Sequence, residues 1–124
     1  DLPNIKYLEN TPDIRKVYGQ SRIVLMPSKY ESYGRVAVEA MASGIPVIAH
    51  ATPGLKESLG EAGIFCDRDK PEDWVRAIKT LDDAKTYKEA SSLAVKRFAE
   101  IDAKTVQELK DFEEFLIKCI NRKA

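Results

Sequence analysis

Apolar residues along the chain fall into short unbroken runs separated by longer amphipathic stretches. Residues 22–27 (RIVLMP), 45–49 (IPVIA) and 63–66 (GIFC) are continuous runs, which predicts strands buried on both faces, as in a parallel sheet. Pro46 suits the start of its strand, where a missing N–H is tolerated. Residues 5–8 add a shorter strand candidate. Between these runs the spacing changes to that of helices. Ile14, Val17 and Tyr18 share one face of a helix that opens with Thr11 as N-cap and Pro12 at the first position and ends near Gly19. Residues 35–43 carry Val36, Ala37, Ala40 and Met41 on one face, with Gly44 as C-cap. A short helix is expected over 55–59, after a loop at 50–54 with a Pro53-Gly54 turn signal. The segment Asp69-Lys70-Pro71-Glu72-Asp73 opens a helix bearing Trp74, Ile78 and Leu81. Two more helices follow, over 84–98 and 104–121. The second has a stripe of Val106, Leu109, Phe112, Phe115, Leu116, Cys119 and Ile120.

Strands alternating with helices up to about residue 82 predict an α/β fold: a Rossmann-like, three-layer parallel sheet with right-handed crossovers and extra C-terminal helices. The expected organisation is a nucleotide-sugar-binding core over 1–82, with helices of 83–124 packed on the same domain. The 124 residues suit one domain. Trp74, Phe112 and Phe115 are read as core. The 20 basic and 20 acidic side chains cancel, so no electrostatic footprint for nucleic acid is present. No apolar run approaches the ~20 residues of a membrane span. Cys66 and Cys119 are too few and too far apart for a disulfide framework or a zinc site, and they fit a reducing cytoplasm. The chain starts at Asp1 in what reads as mid-protein material, so a fragment or excised domain is expected.

In such sheets ligands bind beyond the C-terminal ends of the strands, which selects Glu9-Asn10, 28–34 and 50–54. Loop 28–34 (SKYESYG) runs straight into a helix start. There the amides of Gly34, Arg35 and Val36 are free for an anion, and Gly34 permits close approach. Glu31 and Glu39 flank those amides. A carboxylate repels phosphate but accepts from neutral hydroxyls. Acceptor, phosphate donors, acceptor is the polarity of a nucleotide-sugar. His50 is read as structural or solvated, since no second metal ligand lies at useful spacing.

The string PSKYESYGRVAVEAMASGIPVIAHATPGLKE (27–57) resembles glycosyltransferase family 4 and the glycogen-synthase-like enzymes of the GT-B fold. Glu31 and Glu39 hold the E-x(7)-E spacing of that family. Ser32-Tyr33-Gly34 stands where Ser-Phe-Gly is common, and Glu39-Ala40-Met41-Ala42, Gly44-Ile45-Pro46-Val47-Ile48-Ala49, Leu55 and Glu57 follow in order. The resemblance covers roughly residues 4–82 and implies a retaining hexosyltransferase with no obligatory metal and no cofactor besides its donor, a nucleoside diphosphate sugar. It implies donor binding by Glu31, Ser32, Tyr33, Gly34, Arg35, Val36 and Glu39. Glu31, the catalytic candidate, contacts sugar hydroxyls, the amides at 34–36 hold diphosphate, and Glu39 accepts from ribose. Leu8, Glu9 and Asn10 are candidate base-binding residues. The departures are Glu9 for a common Gly, Pro53-Gly54 for Gly-Gly, and Arg35 for Leu. The resemblance also implies an acceptor-binding N-terminal domain and basic diphosphate-gripping residues preceding Asp1, in a full-length enzyme that is cytoplasmic or peripheral at a membrane. The isolated chain is expected to be inactive. A non-catalytic α/β scaffold is the alternative. A dinucleotide oxidoreductase half is disfavoured, because no G-x-G-x-x-G follows the first strand.

Overall fold

The computed structural model describes residues 2–122. Asp1, Lys123 and Ala124, which belong to the expected domain ranges, lie outside the described residues. The three continuous apolar runs form three parallel strands, β1 (Val24–Met26), β2 (Val47–Ala49) and β3 (Gly63–Phe65), in the order β1-β2-β3. Val24 pairs with Val47 and Val47 with Gly63. Helices occupy the crossovers: α1 (Ile14–Gln20) before β1, α2 (Arg35–Ala42) between β1 and β2, and α3 (Pro53–Leu59) between β2 and β3. A single 3-10 turn (Gly60–Ala62) leads from α3 into β3, and α4 (Pro71–Thr80) and α5 (Ala84–Asn121) follow.

The alternation of β2 divides the core in two. Val47 and Ala49 face a cluster with Tyr18, Ala37, Ala40, Met41, Leu55 and Leu59, joined by Ala94 and Phe98 of α5. Ile48 faces the opposite cluster, with Trp74, Leu81 and Cys66. The architecture is therefore a three-layer α/β sandwich around a Rossmann-like parallel sheet. β2 is buried at every position because it lies between two strands and two helical layers. On the edge strand, Leu25 is in register with Ile48 yet 47% exposed.

Local chemistry sets several element ends. Thr52 caps α3, its hydroxyl accepting from the Leu55 amide at 3.2 Å, with Pro53 in the first turn. Pro71 opens α4, and Glu72 and Asp73 in the first turn complement its dipole. The Trp74 indole donates to the Asp67 carbonyl at 2.8 Å. At the other end of α3, Arg97 donates from Nε to the Ser58 carbonyl (3.0 Å) and from Nη2 to the Glu57 carbonyl (2.7 Å), satisfying carbonyls that the helix leaves open.

Six sequence expectations are corrected. Residues 5–8 form no strand. They lie exposed, and with no neighbouring strand a ladder would leave their backbone groups unpaired. α1 starts at Ile14 after Asp13 rather than at Thr11, whose hydroxyl accepts from the Asp13 amide instead, and it runs one residue past Gly19. Pro53 and Gly54 are the first turn of α3, not a loop. On α2 the core face is Ala37, Ala40 and Met41; Val36, in the first turn at the edge of that face, is exposed. The two expected C-terminal helices are one helix of 38 residues, about 57 Å long at 1.5 Å per residue. Its first half packs on the core. Residues 102–118 are all exposed, so Phe112 and Phe115 are not core residues: they are 57% and 58% exposed.

Two glycines give opposite expectations. A Cβ on Gly54 would lie 2.2 Å from the Ser32 carbonyl oxygen and 2.4 Å from that of Glu31, whereas one on Gly19 meets nothing within 4 Å. Gly54→Ala should lower the free energy of unfolding by about 1–3 kcal/mol, and Gly19→Ala should raise it by up to about 1 kcal/mol. Denaturant titrations of the two variants check the difference in sign.

Asp83 caps α5, accepting from the Thr86 amide and hydroxyl, both at 2.8 Å. The Thr86 amide first, and then its hydroxyl, hold this carboxyl below its ordinary 3.8. The folded chain thus binds that proton less readily than the unfolded chain. The cap's charge-dependent contribution is complete above 3.8 and fades as the pH falls through the folded value. Asp83→Ala should lower the thermal midpoint at neutral pH, and the gap from the parent should narrow at about pH 3. Circular-dichroism melts at both pH values measure it, and a gap that stays constant would contradict the assignment.

Candidate functional site

The loop between β1 and α2 is held from below by two close approaches. Gly34 takes a left-handed conformation (φ 84°, ψ 64°) and packs so tightly on Leu55 that a Cβ would lie 2.6 Å from Leu55 Cδ2. The left-handed turn swings the chain from loop into helix, a geometry that glycine adopts at little cost. The Glu31 and Ser32 carbonyls lie against Gly54 in the first turn of α3. The N-termini of α2 and α3 are thereby set side by side beyond the C-terminal ends of β1 and β2.

At the start of α2, Ala37 is the first amide to reach a carbonyl of the chain, that of Gly34 at 2.9 Å. Among the described residues the amides of Gly34, Arg35 and Val36 have no acceptor. Such unpaired amides, together with the helix dipole, favour a bound anion.

Glu31 is half-buried in the loop, while Ser32 and Tyr33 are exposed. Tyr33 leans towards α5, where it borders a groove of 320 Å³ with Glu57, Arg97, Ile101 and Lys104. Lys29 places its ammonium 5.5 Å from the Tyr30 ring centre. Arg35, one helical turn before Glu39, brings Nη2 to 3.8 Å from Glu39 Oε1, with its own side chain fully in solvent. That is a loose surface pair of small energetic weight.

Glu39 has a second partner that the sequence did not reveal. The Tyr18 hydroxyl of α1 donates to Glu39 Oε2 at 2.9 Å. Burial first, then the hydrogen bond to Glu39 and its negative charge, push this phenol up to about 12. The sequence placed Tyr18 only on the apolar face of its helix. Its ring does lie in the core, and the partnership across 21 positions depends on how α1 and α2 pack.

The remaining candidates separate from this cluster. Leu8, Glu9 and Asn10 lie in the exposed N-terminal segment and make no hydrogen bond to loop 28–34 or to α2. His50 ties β2 to the following strand's loop: Nδ1 accepts from the Arg68 amide at 3.2 Å and lies 3.4 Å from the Cys66 carbonyl oxygen. Burial and the Asp73 charge push the Cys66 thiol up, which keeps it protonated and unreactive.

The family model for glycosyl transferases group 1 matches residues 2–97. The chain is 42% identical over 85 residues to a D-inositol 3-phosphate glycosyltransferase of Corynebacterium kroppenstedtii, a match covering 65% of this chain and 19% of that protein. It is 38% identical over 86 residues to the protein of the same name from Paenarthrobacter aurescens, covering 67% and 21%. With that of Corynebacterium diphtheriae the identity is 36% over 100 residues, covering 77% and 23%. The chain thus spans about a fifth of the length of the curated relatives it matches. The family match takes in the whole sheet, both helix N-termini and both glutamates, and on that match the chain belongs to the group 1 glycosyl transferases.

Proposed function

We propose that the chain is the donor-binding part of a retaining glycosyltransferase, which takes a hexose from a nucleoside diphosphate sugar and passes it to a hydroxyl acceptor. The observation that carries this reading is the start of α2: three unpaired amides opened by a left-handed glycine and flanked by Glu31 and Glu39. The amides at 34–36 take the diphosphate. They are fixed before the reaction begins, so they stabilise the charge that grows on the leaving group without reorganisation. Glu31 accepts from the sugar hydroxyls and orients the ring, with Ser32 and Tyr33 lining the same loop. Glu39 accepts from the ribose. Arg35 is exposed and only loosely paired, so it is free to turn towards phosphate, with Lys29 as a second cation. No step is assigned to a metal. Leu8, Glu9 and Asn10 approach the base only if the exposed N-terminal segment folds over the site.

The acceptor and part of the chemistry belong to the remainder of a longer enzyme, in keeping with the fifth of the relatives' length that this chain covers. Both cysteines are free, which suits a reducing cytoplasm. The longer enzyme works there or at the membrane surface. A non-catalytic module of the same fold is the second reading. It is favoured by the exposed, unattached state of residues 8–10, which leaves the base without a pocket.

Titrating the chain with UDP, GDP, ADP and their sugars, followed by amide chemical shifts, separates the two. Donor binding predicts shifts concentrated on Gly34 to Glu39. Glu39→Ala should weaken the preferred nucleotide by about ten- to a hundred-fold, the worth of hydrogen bonds to a charged acceptor. Glu31→Ala should cancel the difference between nucleotide and nucleotide-sugar while leaving the diphosphate contribution. Unchanged spectra at millimolar ligand would favour the scaffold.

A further inference from the structure

We propose that Tyr18 is a positioning residue, holding the Glu39 carboxylate through Oε2 so that Oε1 is presented to the ribose hydroxyls of the nucleotide. This rests on the nucleotide reading of Glu39 given above and adds a residue from a different helix to that site.

Three observations converge on it. The Tyr18 ring is 8% exposed and clustered with Met26, Ala37, Ala40 and Met41, so the phenol cannot swing away. Its hydroxyl donates to Oε2 at 2.9 Å, inside normal hydrogen-bond range. Among the described residues the other carboxylate oxygen has no hydrogen-bond partner; Arg35 pairs with it at 3.8 Å, too long for a hydrogen bond, from a side chain that lies in solvent. A glutamate on a helix surface ordinarily samples many rotamers. Here one oxygen is pinned from the core and the other is left open. The phenol keeps its proton throughout the working pH range, its ordinary ionisation being displaced to about 12. It therefore acts as a constant donor and never competes with Glu39 as an acceptor.

The arrangement also accounts for α1. Tyr18 is the buried residue of that seven-residue helix, and Ile14, Arg15 and Lys16 lie in solvent. The helix joins the site chiefly through this side chain. A purely structural reading is that a buried phenol needs some acceptor and finds Glu39. The two readings differ in what they predict for ligand choice.

The test compares the best-binding nucleoside diphosphate with its 2′-deoxy counterpart, using the 124-residue chain and isothermal titration at a temperature well below unfolding. The parent should prefer the ribonucleotide by about tenfold, as one hydrogen bond to a charged acceptor implies. Glu39→Ala should abolish the preference. Tyr18→Phe keeps the ring and its packing, and should cut the preference most of the way to that of Glu39→Ala while leaving inorganic pyrophosphate binding unchanged. Replacing Tyr18 by 4-aminophenylalanine restores a donor at the ring's tip and should restore the preference.

If Glu39→Ala keeps the preference, the ribose reading of Glu39 falls, and this proposal with it. If Glu39→Ala loses it and Tyr18→Phe keeps it, the positioning role alone is overturned. Should Tyr18→Phe fail to fold, Tyr18→4-fluorophenylalanine decides the matter, since fluorine fills the place of the hydroxyl and donates no hydrogen bond, so the preference should fall as it would in Tyr18→Phe. A preference retained in that variant would mean that the phenol does not fix this group.

Discussion

The site depends on a backbone-to-backbone contact. The carbonyls of Glu31 and Ser32 rest on Gly54, and beside it Gly34 rests on the Leu55 side chain. Loop 28–34 has little apolar material of its own with which to fix its path, because Lys29, Tyr30, Ser32 and Tyr33 all face solvent. Its conformation is set instead by the absence of two Cβ atoms. One absence lets α3 come up against the loop, and the other lets the chain turn left-handed into α2. The carbonyls over the first turn of α3 also suit the positive end of that helix. A methyl group at Gly54 would meet the loop's backbone and push it off α3, whereas one at Gly34 would press on a Leu55 methyl and sit at a left-handed φ.

This contact is only as firm as α3, a helix too short to stand alone. Thr52 holds it at one end and the Arg97 guanidinium at the other, through the Glu57 and Ser58 carbonyls. Arg97 comes from the first half of α5, which Ala94 and Phe98 anchor in the core. The long helix is thus a brace behind the site rather than an appendage. At its far end Val106, Leu109, Phe112, Phe115, Leu116 and Ile120 are all exposed. Nothing among the described residues covers that stripe.

The sheet and its crossovers were legible because unbroken apolar runs at 22–27, 45–49 and 63–66 alternate with stretches of 3.6 period, and because Gly34, Gly44 and the Lys70-Pro71 pair punctuate them. What was not legible depended on partners. Residues 5–8 read as a strand, yet a strand exists only beside another. The C-terminal stripe read as core, although periodicity reports which face is apolar and says nothing of whether anything covers it. The split of α5 was expected over residues 99–103, which contain neither Gly nor Pro, so nothing there stops propagation. Pro53-Gly54 carried a turn signal that the Thr52 cap overrode: proline's fixed φ and missing N–H serve a helix start as well as a turn. The glutamate pair and the amides between them were readable from spacing. The Tyr18 contact was not, because it arises from the packing angle between α1 and α2.

Within the site the forces are arranged by how readily each can be exchanged. The chain carries no net charge, so the diphosphate of the proposed donor would not be drawn in by a broad field and would be held locally by amides and nearby cations. Arg35 beside Glu39 is an exposed pair worth at most about 1 kcal/mol, so turning the guanidinium to a phosphate costs little. Its partner does not drift when it leaves, because Oε2 stays bonded to a phenol anchored in the core. Glu39 therefore has one permanent contact and one exchangeable contact. A carboxylate held only by Arg35 would lose its orientation once the guanidinium turned to the proposed phosphate. One held by Tyr18 keeps it, and that difference makes a surface glutamate usable as a fixed acceptor.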